Sequence, residues 1–320
     1  MAQPAMAQDQ TKEAAPPNAV RDALAAETAA DQDAVQHEHK KGAPLPFHSI
    51  EGVSGGAITP MAYLCNAGPD CGCTKCSRPS AAYSFVNLGS KEMHVVSVTQ
   101  VFFGCIELGY AANFLNLGSL VDDVNGAGLD MGRDSVQLHH FNLRAQLIKE
   151  NSHDLPLPAV TAGIHFKLNH GIASIDDNLG KALTGIGLER QNGVDFTLTA
   201  TKMFPKLAFG RPVIATTGMR FSQAAQIGLL GFGNGWKPTV EGSIATLPTD
   251  WLALAYEYRQ KTNPYHKIDE LIDAEDDWHA LSASWVVNDR LTVTAVWGMF
   301  GNIANAREDD VLGLQIKYEF

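Results

Sequence analysis

Between Val194 and Thr201 apolar and polar side chains alternate without a break. Val194, Phe196, Leu198 and Ala200 fall on one parity, and Asp195, Thr197, Thr199 and Thr201 on the other. A period of two is the signature of a β-strand with unlike faces. The pattern recurs along the chain. Val160, Ala162, Ile164, Phe166 and Leu168 alternate with Thr161, Gly163, His165, Lys167 and Asn169. Leu252, Leu254, Tyr256 and Tyr258 alternate with Ala253, Ala255, Glu257 and Arg259. Leu281 to Val287 and Leu291 to Trp297 repeat it, and the chain ends on Leu312, Leu314, Ile316, Tyr318 and Phe320 against Gly313, Gln315, Lys317 and Glu319. Each stripe is one residue wide and spans about ten residues, the length of a tilted membrane strand rather than the five or six of a soluble sandwich. The pattern predicts an all-β, transmembrane antiparallel β-barrel.

The connections alternate in length. Long links fall near 117–132, 169–192, 222–235, 261–276 and 301–310, and short ones near 103–105, 149–156, 204–210, 247–250 and 288–290. Outer-membrane barrels have short periplasmic turns and long outer loops, so the C-terminus belongs on the periplasmic side. Counting back adds strands near 92–102, 81–88, 57–65 and 47–53, for about 14, an even number as single-chain bacterial barrels require. The alternative is about 12, with 47–53 and a neighbour left out of the wall. Trp236, Trp278 and Trp297 are expected in the outer aromatic girdle, and Phe204, Trp251 and Phe320 in the periplasmic one.

Composition agrees by exclusion. Acidic residues outnumber basic ones 35 to 24, for a net charge of -11, which argues against nucleic acid as a partner. No run approaches the 18 apolar residues of a spanning helix. Ala5-Met6-Ala7 fits a small-x-small cleavage site, so residues 1–7 read as a leader remnant. Residues 8–46 are rich in Ala, Gln, Asp and Glu and read as a periplasmic tail, helical over 19–37 at most. Within it His37-Glu38-His39 reads as a solvated polar run. The barrel domain is 47–320.

The chain resembles an uncharacterised Gram-negative outer-membrane β-barrel family, a domain of unknown function. The resemblance rests on Gly193-Val194-Asp195-Phe196, Gly228-Leu229-Leu230-Gly231-Phe232-Gly233, Glu257-Tyr258-Arg259, Glu275-Asp276-Asp277-Trp278 and Gly301-Asn302-Ile303, with Gly55-Gly56-Ala57-Ile58-Thr59-Pro60 as a weaker match. It implies a barrel in the outer membrane and names no substrate. Tyr318 and Phe320 resemble the terminal signal that the barrel assembly machinery reads.

Two groups of residues are candidates for function. Cys65, Cys71, Cys73 and Cys76 are clustered, and Cys105 lies in another turn on the same side. In an exported chain they read first as a disulfide-stapled periplasmic loop, second as a zinc or iron–sulfur site lacking its second Cys-x2-Cys, third as free thiols. No other cofactor is expected. By parity His140, Arg144, His165, Lys167, Glu257, Arg259, Lys317 and Glu319 face the lumen, because Lys or Arg facing lipid costs about 2–4 kcal/mol at the midplane. They line a polar pore or pair within a closed lumen. His139, of opposite parity, faces lipid. No Gly-x-Ser-x-Gly, His-Glu-x-x-His or phosphate loop is present, so no enzymatic activity is expected. The sequence therefore supports a porin-like channel for small polar solutes or ions. Its alternative is a structural or docking barrel with a closed lumen, presenting the tail and cysteine loop to a periplasmic protein partner.

Overall fold

The computed structural model describes residues 48–66, 76–266, 274–303 and 306–320. Cys71, Cys73 and the tail lie outside them. Twelve strands close into one antiparallel barrel in which each pairs with its neighbours in sequence and the first pairs with the last. They are β1 (Ser80–Leu88), β2 (Lys91–Phe102), β3 (Ile106–Asn116), β4 (Ser135–Ile148), β5 (Ala159–His170), β6 (Asn192–Ala208), β7 (Arg211–Ala224), β8 (Phe232–Thr246), β9 (Leu252–Arg259), β10 (Trp278–Val286), β11 (Leu291–Met299) and β14 (Val311–Glu319). A short hairpin, β12 (Gly301–Ile303) and β13 (Ala306–Glu308), rises between β11 and β14. The seam runs from Ser80↔Glu319 to Asn87↔Leu312, so no strand edge is left open.

Burial is inverted relative to a water-soluble protein. Ile164, Leu198, Ile244, Leu314 and Ile316 are exposed on the outer face. Their strand neighbours His165, Lys167, Thr197, Thr199, Gln315 and Lys317 are buried. An apolar outside around a polar inside suits a wall standing in lipid, and only a closed barrel satisfies every strand amide there. The chain is an outer-membrane β-barrel. No helix among the described residues is long and apolar enough to cross a membrane.

Strand ends confirm the long and short links. One barrel end carries α1 (Ser119–Gly126), α2 (Ile172–Asn178), α3 (Ala182–Ile186) and the β12–β13 hairpin. The other carries the brief turns after β2, β6 and β10. The exception is β1–β2, a two-residue turn through Gly89 and Ser90 at the long-link end.

Three expectations are corrected. The wall has twelve strands rather than fourteen, which is the alternative count with 47–53 and a neighbour left out. Residues 47–53 and 57–65 were expected in the wall, but from His48 to Cys65 every residue except Tyr63 is buried inside it. The segment carries Gly52, Gly55, Gly56 and Pro60 and makes only isolated bridges, His48↔Ser54 and Gly55↔Pro60, to itself. The cysteine cluster thus lies between this lumenal segment and β1, not between two wall strands. Trp278 is no girdle residue. It is 3% exposed and stacks on Phe300 with ring centroids 4.2 Å apart, whereas Trp236, Trp251, Trp297, Phe204 and Phe320 are all exposed.

Lipid-facing His139 has a partner. The Tyr110 hydroxyl lies 2.8 Å from its Nδ1. Tyr83 with His94 and Tyr256 with His279 repeat the arrangement at 2.7 and 2.8 Å. A polar ring on the outer face is tolerated because its nitrogen is hydrogen-bonded within the wall.

Candidate functional site

The lumenal segment is held by side chains that the wall strands point inward. Glu51 sits at the centre. Its carboxylate meets Lys167 Nζ of β5 at 2.6 Å, Arg220 Nη2 of β7 at 3.0 Å and Arg259 Nη1 of β9 at 2.7 Å. Asp195 of β6 binds Lys167 at 2.6 Å and Arg220 at 2.9 Å, and Glu241 of β8 binds Arg220 at 3.1 Å. Three cations therefore face three anions, all buried. Buried charges are tolerable only when paired and hydrogen-bonded in this way. Within this cluster the wall strands supply three cations but two anions, and Glu51 of the lumenal segment is the third.

Two further clusters grip the segment's main chain. The Glu257 carboxylate accepts from the backbone amides of Ala57, Ile58 and Thr59 at 2.7, 3.0 and 2.9 Å, and from Thr59 Oγ1 at 2.7 Å. Successive amides turned toward one anion form a nest. Gly56 makes this possible, because a Cβ there would collide with the Glu257 carboxylate. Arg144 of β4 donates from Nη1 to Glu107 at 2.8 Å and to the Ser54 carbonyl at 3.1 Å, and from Nη2 to the Met61 carbonyl. Glu107 in turn accepts from the amides of Ser54 and Cys65 at 3.2 and 2.7 Å. On β3, Gly109 leaves room for the carbonyl of Gly52, which a Cβ would strike.

The remaining contacts run along the segment. His48 bonds Ser97 at 2.8 Å and Thr99 at 3.2 Å, and its carbonyl accepts from Gln315 at 2.6 Å. Asn142 donates to the Glu51 carbonyl at 2.7 Å and accepts from His165 at 2.8 Å. Thr161 donates to the Ala62 carbonyl at 2.6 Å. The grip therefore comes from strands around most of the barrel.

All eight residues predicted to face the lumen are inside and buried: His140, Arg144, His165, Lys167, Glu257, Arg259, Lys317 and Glu319. Arg144, Lys167, Glu257 and Arg259 touch the lumenal segment directly. His165 reaches it through Asn142. Lys317 pairs with Glu319 at 2.8 Å. His140 is fully buried, and neither ring nitrogen has a hydrogen-bond partner among the described residues. The sequence reading missed Glu51, Glu107, Asp195, Arg220 and Glu241. The last four follow from the same parity rule, as Asp195 sits between Val194 and Phe196 and Arg220 between Met219 and Phe221.

The disulfide expectation is not supported. Cys65 is buried, Cys76 is exposed, Cys105 is half-buried, and all three are free thiols. No group of three His, Cys, Asp or Glu side chains among the described residues is placed to hold a metal ion. Tyr318 and Phe320 lie on the outer face of the last strand, their rings edge to face at 5.1 Å.

Residues 46–317 match the family described as Protein of unknown function (DUF3034). The chain belongs to that family. No curated protein matches the sequence significantly. Among solved structures the chain is similar to the KdgM porin, at 11% identity and a TM-score of 0.47, over 75% of this chain and 99% of that one. It is also similar to the outer membrane protein Omp33 of Acinetobacter baumannii, at 8% identity and a TM-score of 0.41, over 76% and 98%. The NanC porin matches at 8% and 0.41, over the same shares.

Proposed function

We propose that this DUF3034 protein is a gated outer-membrane channel for small polar solutes or ions, with residues 48–65 acting as its plug. The observation that carries the reading is the Glu51 cluster. Within that cluster the wall strands supply three cations and two carboxylates, and the plug delivers the third carboxylate. The same wall side chains become pore lining once the plug leaves. Water then takes over the solvation of Lys167, Arg220 and Arg259, so the open state is accessible rather than forbidden. In that state Arg144, Lys167 and Arg259 bias selectivity toward anions against Glu241 and Glu257.

Planar-bilayer recording tests this. The wild type is expected to stay shut with rare openings, and Glu51→Ala to open often. Substituting Arg144 or Arg259 should then move the reversal potential toward cations. Steady wild-type conductance would show that the plug does not seal. Silence from both proteins would favour a second reading, supported by the main-chain grip at Glu257 and Arg144. In that reading the lumen is permanently closed, and the barrel anchors the tail and cysteine segment for a periplasmic protein partner. The assembly machinery remains the expected reader of Tyr318 and Phe320.

A further inference from the structure

The barrel end that carries the long links holds a cavity of about 400 Å³, within the size range of small-molecule sites. Loop-length alternation places this end outside the cell. The cavity is built by elements the Glu51 cluster does not use. Leu120 and Val124 enter it from α1, Ile172 and Ile175 from α2, and Leu183 and Ile186 from α3. Met131, Val136 and Leu230 close its sides.

We infer that this cavity binds a small apolar molecule with an extended hydrocarbon or aromatic body, taken from the exterior. Four observations point to that occupant. Most of the lining is aliphatic, with Asn263, Tyr265, Glu275 and Asn302 the polar exceptions, and a mostly apolar space holds water poorly because water finds too few polar partners. The polar side chains in the lining, Asn263, Tyr265, Glu275 and Asn302, are already engaged, the last donating to the Ala274 carbonyl at 3.0 Å. Glu275 accepts from the Gln226 amide at 3.1 Å and faces Lys261 at 3.6 Å, Asn263 donates to the Glu275 carbonyl at 3.1 Å, and the Tyr265 hydroxyl donates to the Leu230 carbonyl. A sugar or an anion would find little there to bind. Leu120, Val121 and Val124 of α1 are only half-buried, packed against the core on one side, and no residue of this helix is fully buried. Finally, the space is concave and framed by loop helices above the barrel mouth, which suits a small molecule better than a flat protein surface.

The site stands whether or not the plug moves. The test uses the purified full-length protein in lipid nanodiscs, with N-phenylnaphthylamine as probe and empty nanodiscs subtracted. The expected result is saturable one-to-one fluorescence enhancement, displaced by dodecanol and not by galacturonate oligomers. Val124→Gln, at a half-buried position on α1, and Ile175→Trp, which fills the space, should each weaken binding about tenfold or more. Leu155→Gln, exposed at the opposite barrel end, should leave it unchanged. Heat-dependent gel mobility establishes that each variant is folded. Absence of saturable binding would overturn the inference and show the cavity to be filled by the protein itself. Binding that survives both cavity substitutions, or that galacturonate displaces, would overturn it equally.

Discussion

Glu51 of the plug and Arg259 of β9 meet at 2.7 Å across 208 residues of sequence. That contact joins the first described segment to the far wall of the barrel, and Lys167 and Arg220 complete the same carboxylate's coordination. Glu51→Gln should therefore leave a buried cation uncompensated. Breaking one partner of such a cluster costs about 3–5 kcal/mol. The plug should loosen while the strand ladder persists. Limited proteolysis is expected to cut within 48–65 in the variant and not in the wild type, with heat-dependent gel mobility retained in both.

Gly56→Ala should release the plug by a different route. Its Cβ would occupy the space of the Glu257 carboxylate and break the nest of three amides. The expected outcome is the proteolytic pattern of Glu51→Gln. Gly235→Ala, on β8 with open space around it and an ordinary backbone conformation, is the matched control. Equal resistance in Gly56→Ala and wild type would remove the nest from the account.

The outer loops should carry a pH dependence. Burial lowers the Lys261 ammonium to about 7 and raises the Glu275 carboxyl. An unfolded Lys titrates near 10.4. Between about 7 and 10.4 the unfolded chain holds the extra proton, so the Lys261 contribution to stability grows as pH rises and is lost as pH falls through about 7. Glu275 works the other way, stabilising below its unfolded value and losing that as pH climbs to its raised folded value. Lys261→Met should flatten the alkaline rise. The check is the gel-shift temperature against pH for both proteins; a wild-type-to-variant difference that does not change from pH 7 to 10 would refute the assignment.

Thiol labelling should follow burial. With no reductant present, alkylation of the folded protein is expected at Cys76 and Cys105, and at Cys65 only after denaturation. Peptide mass spectrometry reads this directly. A Cys65 that resists alkylation even when denatured would restore the disulfide reading.

The wall was legible because lipid outside and polar groups inside force strict alternation. The strands from β4 onward show it in Val194–Thr201 and in the last strand. The plug was not legible. Short apolar stretches around Ile50, Val53, Ile58 and Met61 invite a strand reading without a clean period of two, and nothing local distinguishes a segment lining the wall from one enclosed by it. Only the charge balance does so, since Glu51 makes sense when Lys167, Arg220 and Arg259 are already known to point inward. Trp278 misled for a related reason. A Trp at a strand end suits a lipid interface, yet here the ring turns inward to lie against Phe300, with Lys261 Nζ 3.7 Å from its centre.

If residues 48–65 seal the lumen, removing them opens it. Single-channel conductance of the chain lacking those residues tests it most directly, against full-length protein in the same bilayer and with folding confirmed by gel mobility. The account predicts steady, large current steps from the shortened barrel and rare brief ones from the full chain. Indistinguishable conductance from the two, whether both open or both silent, would contradict it.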